Sequence, residues 1–486
     1  MRKPVGIALA ALLLLGGYAT ADVYDRVPGI LTLDRPTPLP TARASGPAPT
    51  LVPLPSPAAS PTVLAGLDSS APTPAPAKLA EVLDRALADP ALGPSVGMSV
   101  RDARTGAELY ARGADTSRVI ASVQKLLAAA AITDELDPMA VMTTSVRQTS
   151  PTQLVLVAGG DTLLATGAGD PDAVAGRAGL RDLAEQVATA LEAAGPVPDD
   201  LTVRLDTTYA AGPGFPDTPA YPTGWAPADV AAGYTQTVAM LGLAEDRPKP
   251  GKPSPSDPAA AVLKAFADEL TRALTVSVGT DSDAATRTEA TPKDAPVLGE
   301  VRSAAYQDVL GLALDESDNA LTENLARQAA VRAGEDGSFA GNAAWVLARL
   351  KHLGFDVRGT TMLDTSGLAR GQSATVDLVA EVTSAALTGK LPGLADAMAG
   401  LPIAGLDGTL FDRYLSEPAS AAAGVVRAKT GTLTGISSLA GTTVDADDRE
   451  LLFVVVADQV PAATGTLGAR SALDRAIAEL TKCGCR

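Results

Sequence analysis

A serine and a lysine three positions apart are the first residues of this chain whose spacing suggests covalent chemistry. In the run Ser122-Val123-Gln124-Lys125, the hydroxyl and the amine would share one face of a helix, because side chains at positions i and i+3 are neighbours there. A serine hydroxyl becomes a good nucleophile when a nearby base removes its proton, and a lysine can be that base if its pKa is lowered. Alone the pair is a weak signal, since about one such match is expected by chance in a chain of this size.

Two further motifs strengthen the interpretation. Ser317-Asp318-Asn319 contains one of only 3 asparagines, and Lys429-Thr430-Gly431-Thr432 contains one of 11 lysines and lies at the end of a predicted strand. S-x-x-K, then S-D-N, then K-T-G is the signature of penicillin-binding proteins and class A β-lactamases. Each motif also has a structural interpretation, as a helix cap, a polar helix surface or an exposed strand residue. Their joint occurrence, in this order, favours catalysis.

The requirements of acyl transfer suggest a role for each catalytic residue. Ser122 is expected to attack a carbonyl while Lys125 takes its proton, and Ser317 together with Lys429 can pass that proton to the leaving amine. The charge of Lys429 would also lower the pKa of Lys125. The sequence therefore predicts Ser122, Lys125 and Ser317 as the catalytic residues.

The remaining motif residues are predicted to bind the substrate. The backbone N–H groups of Ser122 and Thr432 are the candidates for an oxyanion hole. The hydroxyls of Thr430 and Thr432 can bind a terminal carboxylate, and Gly431 would leave the strand bare where a substrate lies alongside it. Asn319 and Lys429 complete the predicted binding set.

Composition excludes several other kinds of chemistry. The chain of 486 residues has a single histidine and a formal net charge of −17. A zinc peptidase with two or three histidine ligands is nearly excluded, and a Ser-His-Asp hydrolase could use only His352, which lies at a predicted helix end. The acidic balance argues against a nucleic-acid partner. We expect no metal and no cofactor.

The N-terminus predicts export. Arg2 and Lys3 precede an apolar run from Val5 to Leu15, and Ala19-Thr20-Ala21 supplies small residues of the kind that a signal peptidase accepts. Residues 1–33 are therefore expected to be either a cleaved signal peptide or a retained membrane anchor, because the apolar segment is nearly long enough to span a bilayer. The protein is expected outside the cytoplasm, secreted or anchored at the cell envelope.

A proline-rich segment follows. Residues 34–78 are rich in Pro, Ala, Ser and Thr, a composition that cannot bury enough apolar surface to fold, so we expect a disordered linker. Cys483 and Cys485 lie at the C-terminus, where they can pair with each other, cross-link two chains or stay reduced. In none of these cases does a disulfide hold the body of the protein together.

Hydrophobic periodicity predicts an α+β domain. Helices are expected at about 79–87, 122–131, 172–194, 259–274, 306–332 and 468–480, and strands at 96–100, 108–110, 142–146, 154–158, 425–431, 439–444 and 451–457. The 195 positions between Ser122 and Ser317 exceed what a compact β-lactamase-type domain needs. We therefore expect a structural module at 140–291, inserted between a first part at 79–139 and a second part at 292–482 of the catalytic domain.

With these motifs and this insertion, the chain resembles the low-molecular-mass class C penicillin-binding proteins, the D-alanyl-D-alanine carboxypeptidase/endopeptidase family. The resemblance also includes the segments Gly159-Gly160-Asp161-Thr162-Leu163, Asp364-Thr365-Ser366-Gly367-Leu368, Leu401-Pro402-Ile403-Ala404-Gly405 and Asp407-Gly408-Thr409-Leu410. It implies a β-lactamase/transpeptidase-like fold and a serine-type carboxypeptidase or endopeptidase that acts on peptidoglycan stem peptides through a Ser122 ester. It also implies that β-lactams acylate the same serine.

The chain departs from the family pattern at four positions, where Thr162, Thr365, Ala369 and Gln372 replace the more typical Pro, Gly, Ser and Asn. These departures bear on substrate detail more than on reaction class. Two other functions stay open at this point: a β-lactamase-like serine hydrolase or esterase, and a non-catalytic cell-wall binding protein that has kept the fold.

Overall fold

The computed structural model describes residues 70–213, 220–283 and 286–486. The predicted signal peptide or anchor at 1–33 and the linker up to residue 69 lie outside the described residues. Among the helices of the described ranges, none combines the length and the apolar character that a membrane crossing needs.

The described chain contains helices and strands in mixed order. The helices are α1 (Pro76–Ala86), α2 (Gln124–Glu135), α3 (Leu180–Ala194), α4 (Pro227–Ala231), α5 (Pro258–Leu274), α6 (Tyr306–Asp315), α7 (Asn319–Arg332), α8 (Phe339–His352), α9 (Val376–Leu387), α10 (Pro392–Ala399) and α11 (Gly465–Thr481). The strands are β1 (Val96–Asp102), β2 (Glu108–Arg112), β3 (Ser117–Arg118), β4 (Val141–Ser150), β5 (Gln153–Val157), β6 (Thr202–Asp206), β7 (Gly279–Asp281), β8 (Val297–Ala305), β9 (Ala374–Thr375), β10 (Arg427–Leu433), β11 (Ile436–Val444) and β12 (Glu450–Ala457).

An antiparallel sheet of five strands, in the order β10-β11-β12-β1-β2, forms the centre of the catalytic domain. Its central strand β12 is buried on both faces: Val454 and Val456 join the core beneath α2 and α9, whereas Phe453 and Val455 join the core beneath α1 and α11. Successive strand side chains point to opposite faces, so one apolar run supplies two cores. The sequence prediction of an α+β fold with a late antiparallel sheet is confirmed.

Helix α2 runs through the middle of the helical layer. Every residue from Gln124 to Ile132 is buried, and α2 contacts α7, α8, α9 and α10. A helix that is apolar on all sides is stable only when it is surrounded by other elements. Ser122 and Lys125 are thereby attached to a helix that other helices enclose.

A second five-stranded sheet, in the order β7-β6-β5-β4-β8, builds the region between the first two motifs. Helices α3 and α5 pack on each other and supply half of its core. Strand β8 pairs with β4 from Val141↔Ala305 to Arg147↔Val297, so this sheet extends beyond the predicted boundary at residue 291. On its other edge, the ten-residue β4 pairs with the shorter β5.

Two local predictions differ from the structure, and one pairing that the sequence left open is seen in it. Helix α1 begins at Pro76, and Ala71 is buried with its carbonyl accepting a hydrogen bond from Arg449 Nη1 at 2.9 Å, so residues 70–78 of the predicted linker pack on the domain. The helix predicted from 172 begins at Leu180, because Gly176 and Gly179 interrupt the preceding segment. Cys483 and Cys485 are joined to each other.

Candidate active site

Ser122 lies in a short 3-10 helix, Ala121–Val123, that leads directly into α2. It is not the cap of the α-helix, because the N-cap residue is Val123 and makes no side-chain capping bond. The preceding Ala121 has φ of 49°, in the left-handed region that non-glycine residues seldom occupy. Such backbone strain is concentrated at functional sites, and here it is found beside the predicted nucleophile.

The ammonium of Lys125 is held by three oxygen atoms. Its Nζ donates to Ser122 Oγ at 2.9 Å, to Asn319 Oδ1 at 2.6 Å and to the carbonyl oxygen of Ser366 at 2.7 Å. The side chain is fully buried. The structure therefore brings together the predicted nucleophile, its predicted base and the asparagine of the second motif.

Burial lowers the pKa of Lys125 to about 8, and the negative charges of Asp364, Asp318 and Glu323 partly oppose this shift. An ammonium removed from water loses hydration that neutral hydrogen-bond acceptors replace only in part. A lysine with this pKa has a substantial neutral fraction near pH 7 to 8. Lys125 can therefore accept a proton from Ser122.

A break between two helices brings the second motif to the site. The sequence predicted one helix over 306–332, but α6 ends at Asp315 and α7 begins at Asn319. Between them Ser317 has φ of 57°, and Asp318 caps α7 by accepting a hydrogen bond from the Leu321 N–H at 2.9 Å. Because of this break, both Ser317 and Asn319 line the cleft beside Ser122.

The third motif lies on β10, an edge strand of the catalytic sheet. Lys429 is fully buried, and its Nζ donates to the carbonyl oxygen of Thr430 at 2.9 Å. Burial holds the pKa of Lys429 well below its usual value, and the charge of Lys125 lowers it further. For Lys125, burial lowers the pKa, and the effect of the neighbouring lysine that the sequence suggested is not among the causes of that shift.

Gly431 has a packing role that the sequence did not predict. A Cβ at this position would lie 2.2 Å from Ser438 Oγ and 2.7 Å from the carbonyl oxygen of Ile120. Ser438 Oγ donates to the same Ile120 carbonyl at 2.8 Å. The missing side chain therefore lets β10 approach the segment that carries Ser122, whereas Thr432, the next residue along β10, is exposed.

The motif residues meet at a cleft with a volume of about 1090 Å³. Five of the eight predicted site residues line it, namely Ser122, Ser317, Asn319, Thr430 and Thr432. The module between the first two motifs also contributes to the lining, through Gly224, Ala226, Asp229, Tyr234 and Pro250. The predicted acyl-transfer groups lie outside this module, but part of the cleft wall comes from it.

The Asp364 side chain holds several residues of the site in place by hydrogen bonds, a role that the sequence did not predict. Its side chain accepts hydrogen bonds from the backbone N–H groups of Gly367 at 2.7 Å and Ala369 at 2.6 Å. The Trp225 indole N–H donates to Oδ2 at 2.8 Å, and the Gln372 amide donates to Oδ1 at 2.7 Å. The only sequence signal was the family-like segment at 364–368, to which no role was attached.

The same network reaches the catalytic helix. Gln124, next to Lys125, donates from Nε2 to the Asp364 carbonyl oxygen at 2.8 Å and to Gln372 Oε1 at 3.0 Å. Gln372 is one of the departures from the family pattern, and its side chain hydrogen-bonds to both Asp364 and Gln124. In the described parts of the chain, no group of three or more His, Cys, Asp or Glu residues could hold a metal ion.

A serine bonded to a buried lysine, beside an S-D-N turn and a K-T-G edge strand over an antiparallel sheet, defines a serine hydrolase with a transpeptidase-like fold. The sequence matches the model of the D-Ala-D-Ala carboxypeptidase 3 (S13) family over residues 79–251 and 244–480. The chain belongs to this family and is a D-Ala-D-Ala carboxypeptidase. The family resemblance found in the motifs is confirmed.

Similar proteins cover nearly the whole chain. Carboxypeptidase DacB of Mycolicibacterium smegmatis is 35% identical over 450 residues, 92% of this chain and 93% of the relative. A carboxypeptidase of Mycobacterium tuberculosis is 34% identical over 435 residues, 87% of this chain and 89% of the relative. The fold resembles that of penicillin-binding protein 4 from Haemophilus influenzae, with a TM-score of 0.61 and 17% identity, covering 84% of this chain and 99% of the other.

Proposed function

We propose that this carboxypeptidase removes the terminal D-alanine from peptidoglycan stem peptides through an ester on Ser122, with Lys125 as the general base. The observation that carries the proposal is the 2.9 Å hydrogen bond between Lys125 Nζ and Ser122 Oγ, made by a buried amine whose pKa is lowered to about 8. A nucleophile within hydrogen-bonding distance of a base that is partly neutral at working pH meets the requirements of covalent catalysis.

In the acylation step, neutral Lys125 takes the proton of Ser122 while the oxygen attacks the carbonyl carbon of the penultimate D-alanine. The C–N bond then breaks, and the nitrogen of the terminal D-alanine receives a proton through Ser317 and Lys429, which line or underlie the same cleft. In the second step, water attacks the ester and releases the shortened peptide and free Ser122. By the same mechanism, Ser122 would attack the D-alanine carbonyl carbon in a cross-link between two stem peptides. Cleavage at that bond is the endopeptidase reaction.

The binding roles follow from the geometry of β10. An edge strand offers backbone N–H and C=O groups to an extended peptide, which can add to the sheet as a further strand. The N–H groups of Thr432 and Ser122 would stabilise the oxyanion, and Asn319 would contact the peptide backbone. The Thr430 and Thr432 hydroxyls would receive the terminal carboxylate, with Thr430 Oγ1 already bonded to Thr409 Oγ1 at 2.9 Å.

Two further parts of the proposal concern inhibitors and location. A structure of penicillin-binding protein 4 from Haemophilus influenzae holds a novel β-lactam, and we propose that β-lactams acylate Ser122 in this chain. The basic and apolar start of the chain supports export to the cell envelope, where the enzyme would meet its substrate.

The experiment that tests the assignment is intact mass spectrometry after exposure to a fluorescent penicillin, followed by peptide mapping. We expect one adduct, on Ser122, and no adduct in Ser122→Ala. The fold should survive, because the loss of one side-chain hydrogen bond to Lys125 costs about 1 kcal/mol. Ser420→Ala, at a half-buried position outside the lining of the cleft, is the matched control and should be acylated like the wild type.

An adduct that persists in folded Ser122→Ala would overturn the assignment. The lifetime of the adduct distinguishes the proposed carboxypeptidase from a β-lactamase, because a β-lactamase releases the opened penicillin rapidly. Here we expect a stable adduct and D-alanine release from a peptide ending in D-Ala-D-Ala.

A further inference from the structure

Glu323 is a fully buried carboxyl group one helical turn after Asn319 on α7. Its Oε1 atom accepts hydrogen bonds from the backbone N–H groups of Thr365 at 2.8 Å and Ser366 at 2.9 Å. Two consecutive N–H groups on one carboxylate oxygen fix the path of the backbone at that point. Glu323 therefore attaches the 364–367 loop to α7.

That loop contacts the proposed base. The carbonyl oxygen of Ser366 accepts a hydrogen bond from Lys125 Nζ at 2.7 Å, so the peptide unit held by Glu323 is adjacent to the one that orients Lys125. Helix α7 thus reaches the amine twice, directly through Asn319 Oδ1 and indirectly through Glu323 and the loop.

One oxygen of the Glu323 carboxyl group makes no hydrogen bond within the described part of the chain. Its Oε2 atom is buried and has no hydrogen-bond partner among the described residues. The charged groups that face it are Lys125 on α2, Asp364 in the loop and Arg327 on α7 itself. Burial, with Asp364 next in importance, raises the pKa of Glu323 to about 7, so the group changes charge near the working pH.

We propose that Glu323 is a positioning residue for the reaction, which holds the Ser366 carbonyl against Lys125 and sets through its own charge the pH at which Lys125 becomes a base. The proposal rests on the assignment of Ser122 and Lys125 made above. It adds a residue outside the three motifs, one that touches neither substrate nor reacting atoms.

The direction of the charge effect follows from electrostatics. An ionised Glu323 stabilises the Lys125 ammonium and so raises the pKa of the lysine, whereas a neutral group at this position does not. Because the two groups are coupled, the acid limb of the pH–rate profile reports an apparent pKa of the pair. Removal of the Glu323 charge should therefore move that limb to lower pH.

Glu323→Gln tests the charge and the position separately. Glutamine retains an oxygen that can accept from the Thr365 and Ser366 N–H groups, but it cannot ionise. The measurement is the second-order rate constant of acylation by a penicillin from pH 5 to pH 10. We expect the acid limb to shift by about half a pH unit or more to lower pH, equivalent to about a threefold higher neutral fraction of Lys125 on that limb.

Glu269→Gln is the matched control. Glu269 is a buried carboxylate on α5, paired with Arg181 and Arg272 and remote from Lys125 in the second sheet's core. Its loss removes a buried charge without touching the loop, so the acid limb should stay where it is in the wild type. An unchanged profile in folded Glu323→Gln would overturn the proposal.

Glu323→Asp keeps the charge but shortens the side chain, and it serves also if Glu323→Gln does not fold. We expect its acid limb near the wild-type position and its rate constant lower at every pH, because the loop loses its attachment. A limb that moves in Glu323→Asp while the rate is retained contradicts the inference. If penicillin does not label Ser122 in the wild type, the proposed function itself fails. Labelling of the wild type with an unchanged pH profile in Glu323→Gln contradicts only the role of Glu323.

Discussion

Lys125 illustrates how the acceptors around an amine decide what it can do. Its three hydrogen-bond partners are a hydroxyl, an amide oxygen and a peptide carbonyl, and none of them is a carboxylate. A direct salt bridge would have kept the ammonium charged at neutral pH, whereas neutral acceptors leave burial as the dominant influence. The result is an amine that can exchange its proton with Ser122.

Lys125→Arg tests this role at the level of one residue. Guanidinium does not give up its proton at working pH, so it cannot act as the base even though it keeps the charge. We expect acylation by penicillin to fall by about 10²–10⁴-fold, the usual contribution of a general base. The measurement is the rate of covalent labelling of the folded variant.

Lys264→Arg is the control for the same change of side chain. Lys264 is exposed on α5, where it pairs with Asp268 one turn away, and its replacement should leave labelling at the wild-type rate. Wild-type labelling in Lys125→Arg would remove Lys125 from the role of base.

At the scale of elements, two interruptions of regular structure build the site. The three residues between α6 and α7 present Ser317 and Asn319 to the cleft, and the 3-10 helix before α2 presents Ser122. A continuous helix through 315–319 would place Ser317 and Asn319, two positions apart, on nearly opposite sides of the helix axis. The close approach of β10 then completes the arrangement.

Gly431→Ala tests that approach. The added Cβ would meet the Ser438 hydroxyl and the Ile120 carbonyl well inside contact distance. The Ile120 carbonyl belongs to the backbone and cannot move aside as a flexible side chain does. We expect β10 to shift relative to Ser122 and acylation to fall by about tenfold or more, since a displacement of about 1 Å can cost up to 10²-fold. Acylation kinetics at a temperature where the variant is folded give the answer.

Gly311→Ala is the matched control on α6. A Cβ there would have Gly400 Cα as its nearest neighbour at 4.0 Å, which is ordinary contact. Alanine in a helix interior should raise the free energy of unfolding by about 0.5–1 kcal/mol and leave acylation unchanged. The idea of a close-packed β10 fails if Gly431→Ala labels as fast as this control.

At the scale of the whole molecule, the second sheet and its loops support the catalytic site through specific contacts. Asn324 on α7 donates to the carbonyl oxygens of Gly160 at 3.1 Å and Ala239 at 2.8 Å. Arg247 pairs with Asp318, the cap of α7, at 2.9 Å. Together with the Trp225–Asp364 bond, these contacts hold the site from the side of the inserted module.

Trp225→Phe tests the contribution of the module. Phenylalanine keeps an aromatic ring but removes the N–H that donates to buried Asp364, and leaving a buried acceptor without that donor costs about 1–3 kcal/mol. We expect lower stability and, because Asp364 orders the loop beside Lys125, acylation that is slower by about tenfold. Thermal unfolding and labelling rates measure the two effects.

Trp345→Phe controls for the lost ring volume, since Trp345 is a buried tryptophan in the core around α8. It should lower the unfolding temperature without slowing the labelling of folded protein. If both tryptophan variants slow labelling equally, the effect belongs to general destabilisation and not to the Asp364 contact.

The sequence by itself determined the chemistry and the family. Acyl transfer needs a particular set of side chains, and the three motifs supply them in a fixed order that can be recognised without knowing any distance. The strands β10 to β12 and the long helices could also be predicted, because the periodic spacing of apolar residues within each element indicates its secondary structure.

Only the tertiary structure decided how these residues act. The two acceptors that hold Lys125 besides Ser122 are 194 and 241 positions away in sequence, and the carboxylates of Glu323 and Asp364 are buried by packing that no local pattern records. Burial sets the pKa of Lys125, and the break at Ser317 depends on what α6 and α7 pack against. Protonation and alignment are properties of long-range packing, which is why the sequence could propose Lys125 as the base but could not show what would lower its pKa.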